Sequence, residues 1–361
     1  PGLLYAGVRP AYMYISRDYG ATWRELQGFR DIPGRRLWFS PAESPWQAYV
    51  QAITLSPSDP DILLAGIEFG ATVRSTDGGK TWSSHLAGSL RDCHSLKFHA
   101  ANGDWIYEAG GTGGGATLSR DGGRTWQRQG SKTDLAGTLM WGVYALDHKT
   151  AWLTGAPAVI LHTTDGGKTW NRQAQDVLPP QVEVSGVYAS DAQNAWATTV
   201  QPALVLRTTD GGKNWRSVPY ACEHCGWLIW VDGVDADTVW ISGNGVVMHT
   251  ADGGQSWADH TPPGFGDYNG LVVIDDDTLW TVLDPAVIFY TDDGGKTWDT
   301  QYRLAGQRSI RVSAIDGRSA WTVGVGQYDK NSGHVLATTD GGATWKPQST
   351  PIETGWYGVS F

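Results

Sequence analysis

Short apolar stretches alternate with breaks rich in Gly, Asp and Ser along the whole chain. Trp141-Gly142-Val143-Tyr144-Ala145-Leu146-Asp147 leads to Ala151-Trp152-Leu153-Thr154-Gly155, then to Val159-Ile160-Leu161-His162-Thr163-Thr164-Asp165, then to Thr169-Trp170-Asn171-Arg172. Stretches this short, rich in β-branched and aromatic residues and bounded by turn residues, predict strands, four to a unit. The same order returns at Gly186 to Trp215, Gly270 to Trp298 and Val312 to Trp345.

Self-comparison gives the unit its length. Ser16-Arg17-Asp18-Tyr19-Gly20-Ala21-Thr22-Trp23 recurs as Ser75 to Trp82, Ser119 to Trp126, Thr163 to Trp170, Thr208 to Trp215, Thr250 to Trp257, Thr291 to Trp298 and Thr338 to Trp345. Successive starts lie 59, 44, 44, 45, 42, 41 and 47 residues apart. Asp-Gly between two strands is a hairpin turn, because Gly supplies the positive φ that the turn requires. The Asp carboxylate and the Ser or Thr hydroxyl can accept backbone N–H groups of the turn, and the Trp can lay its face over it. Eight near-identical copies of a catalytic site would serve no purpose, so the boxes read as structure.

Four short strands per repeat match the blade of a β-propeller. Trp356-Tyr357-Gly358-Val359-Ser360-Phe361 reads as a first strand with nothing after it, and the chain begins on second and third strands. Together the two ends make one blade, which closes the ring and removes an unpaired edge. The expected architecture is all-β: an eight-bladed β-propeller of four-stranded antiparallel blades in a single domain, 1–361, with seven blades as the fallback.

Composition agrees and narrows function. Gly (47), Trp (20) and Tyr (14) are abundant and charged residues make up only 18%, which suits tight turns and strands rather than a helical bundle. A formal net charge of −10 disfavours nucleic acid as a partner, and no apolar run is long enough for a membrane span.

The boxes resemble the Asp-box, or BNR, repeats of the sialidase-like, WD40/YVTN/BNR-like propeller superfamily. Up to about residue 130 the boxes are Ser-led, in the style of bacterial BNR-like proteins described as exo-sialidases or glycosyl hydrolases. Beyond it they are Thr-led, with Ala-Trp or Leu-Trp in the second strand, and that half is similar to photosystem II assembly-factor propellers. The resemblance implies either a binding and assembly module or a carbohydrate-active hydrolase or lyase. Sialidases carry six blades, an arginine triad and an Arg-Ile-Pro motif ahead of the first box. Here Arg30-Asp31-Ile32-Pro33 has an extra residue and follows that box, so no catalytic residue carries over. Xyloglucanases of the superfamily place their boxes on two propellers in a far longer chain.

Propeller ligands meet the loops around the central channel. The longest such loop, Arg24 to Gln47, holds Arg30, Asp31, Arg35, Arg36, Trp38 and Trp46, and faces Arg9, Glu68, Phe69 and the Gly110–Gly115 loop. Insertions of that length are often functional. Aligned first strands put Gln51, His94, Trp141, Ser185, Ile229, Asn269, Ile310 and Tyr357 at one level of the channel mouth, where aromatic and amide groups can stack on and hydrogen-bond a sugar or another polar ligand. His94 beside Asp92 is a candidate base with its orienting carboxylate. Glu68, Glu108, Asp267, Asp284 and Glu353 complete the candidate acids, and Arg9, Arg30, Arg35, Arg36 and Arg311 a candidate clamp for an anionic substrate. No cofactor and no metal are expected. Cys222-Glu223-His224-Cys225 lacks the following His of a haem motif and the two further ligands of a zinc site. It reads as a local disulfide or two thiols, with Cys93 buried and free. A disulfide would favour an exported protein, a chain that opens on Pro1 reads as processed or trimmed at its N-terminus, and a monomer is expected. The expected function is binding of a carbohydrate or protein partner through the channel face, with the hydrolase as its rival.

Overall fold

Every box folds into one hydrogen-bonded turn. In the fourth, Thr163 Oγ1 donates to Asp165 Oδ1 (2.9 Å) and accepts the Gly167 N–H (2.8 Å). Asp165 also accepts the Thr169 N–H on Oδ1 (2.9 Å) and the Thr169 hydroxyl on Oδ2 (2.6 Å). Gly167 has φ +75°, a region that costs other residues energy. These bonds satisfy the carboxylate within the turn, and the Gly166 N–H ties the turn to the Lys149 carbonyl (2.9 Å) of the same blade.

The computed structural model describes residues 3–41, 46–99, 102–111, 115–129, 138–147, 149–222, 225–328, 332–348 and 355–360, with the backbone alone at 309–310 and 355–360. The turns join the third and fourth strands of antiparallel sheets, seven of them four-stranded and one three-stranded. Blade 1 pairs Gly355–Ser360 with Leu4–Arg9, followed outward by Met13–Ser16 and Arg24–Glu25. Blade 2 holds Val50–Leu55, Leu63–Ile67 and Thr72–Ser75. Its fourth place is taken by residues 83–86, where the Ser83 and Leu86 N–H groups bond the Arg74 (2.9 Å) and Thr72 (3.0 Å) carbonyls. Blades 3 to 8 begin at Cys93–His99, Leu139–Ala145, Val184–Ala189, Leu228–Gly233, Asp267–Val273 and Gln307–Ala314. The ring therefore has eight blades, closed as the two ends of the sequence imply.

Tryptophans fill the seams between blades. Trp152, Trp196, Trp240, Trp280 and Trp321, from the second strands of blades 4 to 8, are fully buried. The box Trp does more than cover its turn. Trp82 and Trp126 do bond carbonyls of their own turns, Gly79 and Gly123. Trp170, Trp215 and Trp345 instead donate to Gln129, Gln173 and Gln301 of the preceding blade (3.2, 3.0 and 2.9 Å). Gln173 also donates to the Gly211 carbonyl (3.1 Å) and meets His162 Nδ1 (3.1 Å). Gln173→Ala strips all three partners and is expected to cost about 1–3 kcal/mol; an unchanged denaturant midpoint would argue that water replaces the tie.

The described part of the Arg24–Gln47 insertion is anchored. It forms a short helix at Gln27–Arg30 and a 3-10 turn at Arg35–Leu37. Phe29 is fully buried, edge-on to Trp82 (5.1 Å) and Trp38 (6.0 Å). A large apolar ring in a closed seat holds the loop against blade 2.

Candidate functional site

The innermost strand of each blade carries one β-bulge near the channel mouth. The ladder skips Gln51, His94, Trp141, Ser185, Ile229, Asn269, Ile310 and Tyr357. These are the eight positions aligned from sequence. A bulge breaks the alternation of the strand and re-aims one side chain, so repetition around the ring brings eight re-aimed positions to one level. The side chains of Ile310 and Tyr357 lie outside the described residues.

At two of these bulges a compact group forms. His94 stacks on Trp141 with ring centroids 4.9 Å apart and planes 9° from parallel. Its Nδ1 faces the Met140 carbonyl (3.1 Å). Its Nε2 faces Glu68 Oε2 (3.4 Å) and Asp92 Oδ1 (3.5 Å). Burial alone would depress the imidazole pKa, but the hydrogen bonds and charges of Asp92 and Glu68 outweigh it and push it up to about 10. Glu68 and Asp92 are each 6% exposed. Gly111 roofs the group: a Cβ there would stand 2.5 Å from Asp92 Oδ2 and 2.6 Å from the His94 ring.

Asp92 also belongs to the wall of a cavity of about 600 Å³. Pro33, Leu37, Trp38 and Phe39 of the insertion form one side, Phe69 and Gly70 the second, and Ser84, His85 and Arg91 the third. Phe69 sits at φ +48°, a strained conformation for an aromatic residue, of the kind that gathers at functional sites. Burial, followed by the charge of Arg91, lowers the His85 pKa to about 4, so that imidazole is neutral near pH 7. On the other side of the group, His94 faces a smaller channel pocket of about 120 Å³ with Gln51, Lys97 and Arg311. Arg311 lies over the Trp230 ring (5.3 Å). Desolvation and then the Arg311 charge pull the Lys97 ammonium below its usual range.

The sequence profile of the family described as photosynthesis system II assembly factor YCF48 matches residues 111–218, 142–239 and 227–352, overlapping stretches that cover well over half the chain. The chain belongs to the YCF48 family. The BNR/Asp-box repeat profile matches residues 73–84, in the Ser-led part. Among solved structures, YCF48 from Cyanidioschyzon merolae is 18% identical with a TM-score of 0.59, over 81% of this chain and 95% of that one. YCF48 bound to D1 peptide is 21% identical with a TM-score of 0.52, over 68% and 78%. The dihydro-heme d1 dehydrogenase NirN is 13% identical with a TM-score of 0.66, over 99% and 75%. At such identities the likeness is one of fold. No protein with a curated description matches by sequence.

In this YCF48-family chain the sequence-predicted residues divide. Glu68, Asp92, His94 and Trp141 converge, and Trp38 lines the adjoining cavity. Trp46 is 69% exposed, outside the cavity lining. Asn269 accepts the Trp230 indole N–H on its carbonyl. The arginines do not assemble into one clamp. Arg9 is buried over Tyr49 (5.9 Å). Arg30 pairs with Glu25 and lies over Tyr12 (4.4 Å). Arg35 covers the same Tyr12 ring (4.7 Å) and bonds the Ala11 carbonyl (2.6 Å). Arg36 is exposed, and Arg311 stands apart in the channel.

The other candidate acids among the described residues have partners of their own. Glu108 is fully buried and accepts the Thr72 and Thr117 hydroxyls and the Leu90 N–H (2.8 Å). Asp267 accepts the Asn244 amide (2.7 Å) and Asp284 pairs with Arg308 (2.6 Å). Glu353, His224 and residues 112–114 lie outside the described residues. Cys222 and Cys225 form a disulfide, and Cys93 is buried and free. Sequence reasoning missed His85, Arg91 and Lys97. The 83–92 segment lacks a strand pattern, and only its place between the blade 2 box and Cys93 could have directed attention there.

Proposed function

We propose that the protein is a partner-binding module of assembly-factor type, which takes a segment of a protein partner into the cavity between residues 33–39, 69–70 and 84–92. The observation that carries this reading is the cavity itself: it is built on an anchored insertion, and Leu37 (81%) and Phe39 (54%) expose large apolar surface there. Exposed apolar groups beside a preformed concavity mark an interaction surface. Arg91 supplies a guanidinium at the same wall, suited to a carboxylate of the partner. The D1 peptide carried by the YCF48 structure supports a peptide as the class of ligand. D1-derived peptides, titrated by fluorescence anisotropy beside scrambled controls, should bind. Leu37→Asp/Phe39→Asp should weaken that binding at least about tenfold. Equal binding to both proteins, or none beyond the scrambled controls, would overturn the reading.

Hydrolysis gains no support from the geometry. Glu68 and Asp92 come within 4.8 Å of each other, but both are engaged with one imidazole, whereas a glycosidase needs one carboxyl as acid and the other as nucleophile or base on a sugar between them. Residence in an oxidising compartment is part of the proposal and is supported by the Cys222–Cys225 disulfide. Thiol labelling of denatured protein taken directly from cells should modify Cys93 alone.

A further inference from the structure

We propose that Glu68, Asp92 and His94 form a binding site for a divalent transition-metal ion. Three donor atoms, one from each residue, lie within 4.8 Å of one another. Two of the three separations, 3.4 and 3.5 Å, match the edges of a coordination tetrahedron, since donors about 2.0–2.1 Å from zinc stand about 3.3–3.4 Å apart. They are long for charge-assisted hydrogen bonds, which close to about 2.7–2.9 Å. Glu68 is more than nine-tenths buried, and its partner, His94 Nε2, is one it shares with the equally buried Asp92. Two buried carboxylates against a single imidazole leave negative charge out of water, which is costly, and a cation among the three groups offsets it.

The surroundings are those of a metal site. His94 Nδ1 faces the Met140 carbonyl (3.1 Å), the outer contact that fixes an imidazole tautomer and leaves Nε2 to bind an ion. Stacking on Trp141 holds the ring plane. Gly111 closes one side against any Cβ, and Asp92 opens the other onto the 600 Å³ cavity. Three protein donors with one open side leave room for a water or a ligand atom on the metal. One nitrogen among two oxygens favours zinc, cobalt or manganese over magnesium and calcium, which prefer all-oxygen shells.

Zinc chloride alone, titrated into the tag-free, disulfide-intact protein by calorimetry, should bind one to one. Calcium and magnesium should compete poorly. Glu68→Gln should weaken zinc binding at least about tenfold and His94→Ala should abolish it. Circular dichroism checks that each variant folds. Cobalt(II) added to the unaltered protein gives a second reading that needs no variant: a visible ligand-field band of tetrahedral intensity, removed by excess zinc. Absence of both the calorimetric signal and the band would overturn the proposal and leave a charged imidazole clamped by two carboxylates. So would zinc binding that folded Glu68→Gln and His94→Ala proteins retain in full, which would place the ion elsewhere. Peptide binding is measured separately, so failure here leaves the partner-binding reading standing, and the reverse holds.

Discussion

Removing residues 355–361 is expected to abolish cooperative folding of the ring. Gly355–Ser360 is the innermost strand of blade 1 and pairs with Leu4–Arg9 from Tyr5↔Ser360 to Arg9↔Gly355. All six residues of Leu4–Arg9 are buried. Without the closing strand, their free backbone groups and apolar side chains would form a bare sheet edge, which is a template for aggregation. The backbone bonds alone contribute about 0.5–1.5 kcal/mol each, and the buried surface adds to that. Because the strand comes from the far end of the chain, its loss also releases the loop-closure constraint on every blade between. The truncated chain should elute as aggregates or melt well below the full chain without a sharp transition, and a peptide of residues 355–361 added in trans should restore part of the transition by strand addition. A truncated monomer with an unchanged melting temperature would show that the other seven blades hold the ring on their own.

Acid should unlock the turns together. All eight box carboxylates, Asp18, Asp77, Asp121, Asp165, Asp210, Asp252, Asp293 and Asp340, are held below their ordinary value. In Asp252, Asp293 and Asp340 the leading cause is the hydroxyl bond from Ser256, Thr297 or Thr344, followed by the N–H of the same residue, and each pKa falls to about 2. A carboxylate whose folded pKa lies below its unfolded one contributes stability that is complete above the unfolded value, 3.8, and is lost as pH falls through the folded value. The denaturant midpoint should therefore be insensitive to these groups above about pH 5 and fall steeply between about pH 4 and 2. Asp293→Asn and Asp340→Asn, combined, should lower the neutral-pH midpoint and flatten that fall. These turns are exposed, so high salt should weaken the effect only modestly, because short hydrogen bonds rather than long-range charge carry it. A midpoint flat from pH 5 to 2 would mean that the unfolded chain keeps the same bonds.

The ring was legible because a propeller is a local structure repeated. Each box carries its own hydrogen-bond partners within seven residues, as Thr163 to Thr169 shows, so eight boxes could be read as eight turns without any long-range information. Register along the inner strands was legible for the same reason. In blades 2 to 8 each is paired to the strand that follows it in sequence, and the bulges fall at equivalent places, from Gln51 to Tyr357. The joining of Leu4–Arg9 to Gly355–Ser360 followed from a blade left incomplete at both ends.

What meets what across blades was not legible. Glu68 follows the second strand of blade 2 and His94 lies at the start of blade 3, yet Trp141 and the Met140 carbonyl come from blade 4. Spacing along the chain encodes none of those distances. The arginines show the opposite failure: clustered in sequence, Arg30 and Arg35 are spent on Tyr12, Glu25 and Ala11 around the insertion, while Arg311 shares the channel with Lys97. By itself, then, the sequence determined the repeat, the turns and the closure, because short-range hydrogen bonds and strand pairing between neighbours specify them. Only the tertiary structure decided which acids meet a histidine, which aromatic residues wall a cavity and which box tryptophans tie blades together. Those outcomes depend on how blades sit side by side, and that is set by packing between segments the sequence leaves far apart.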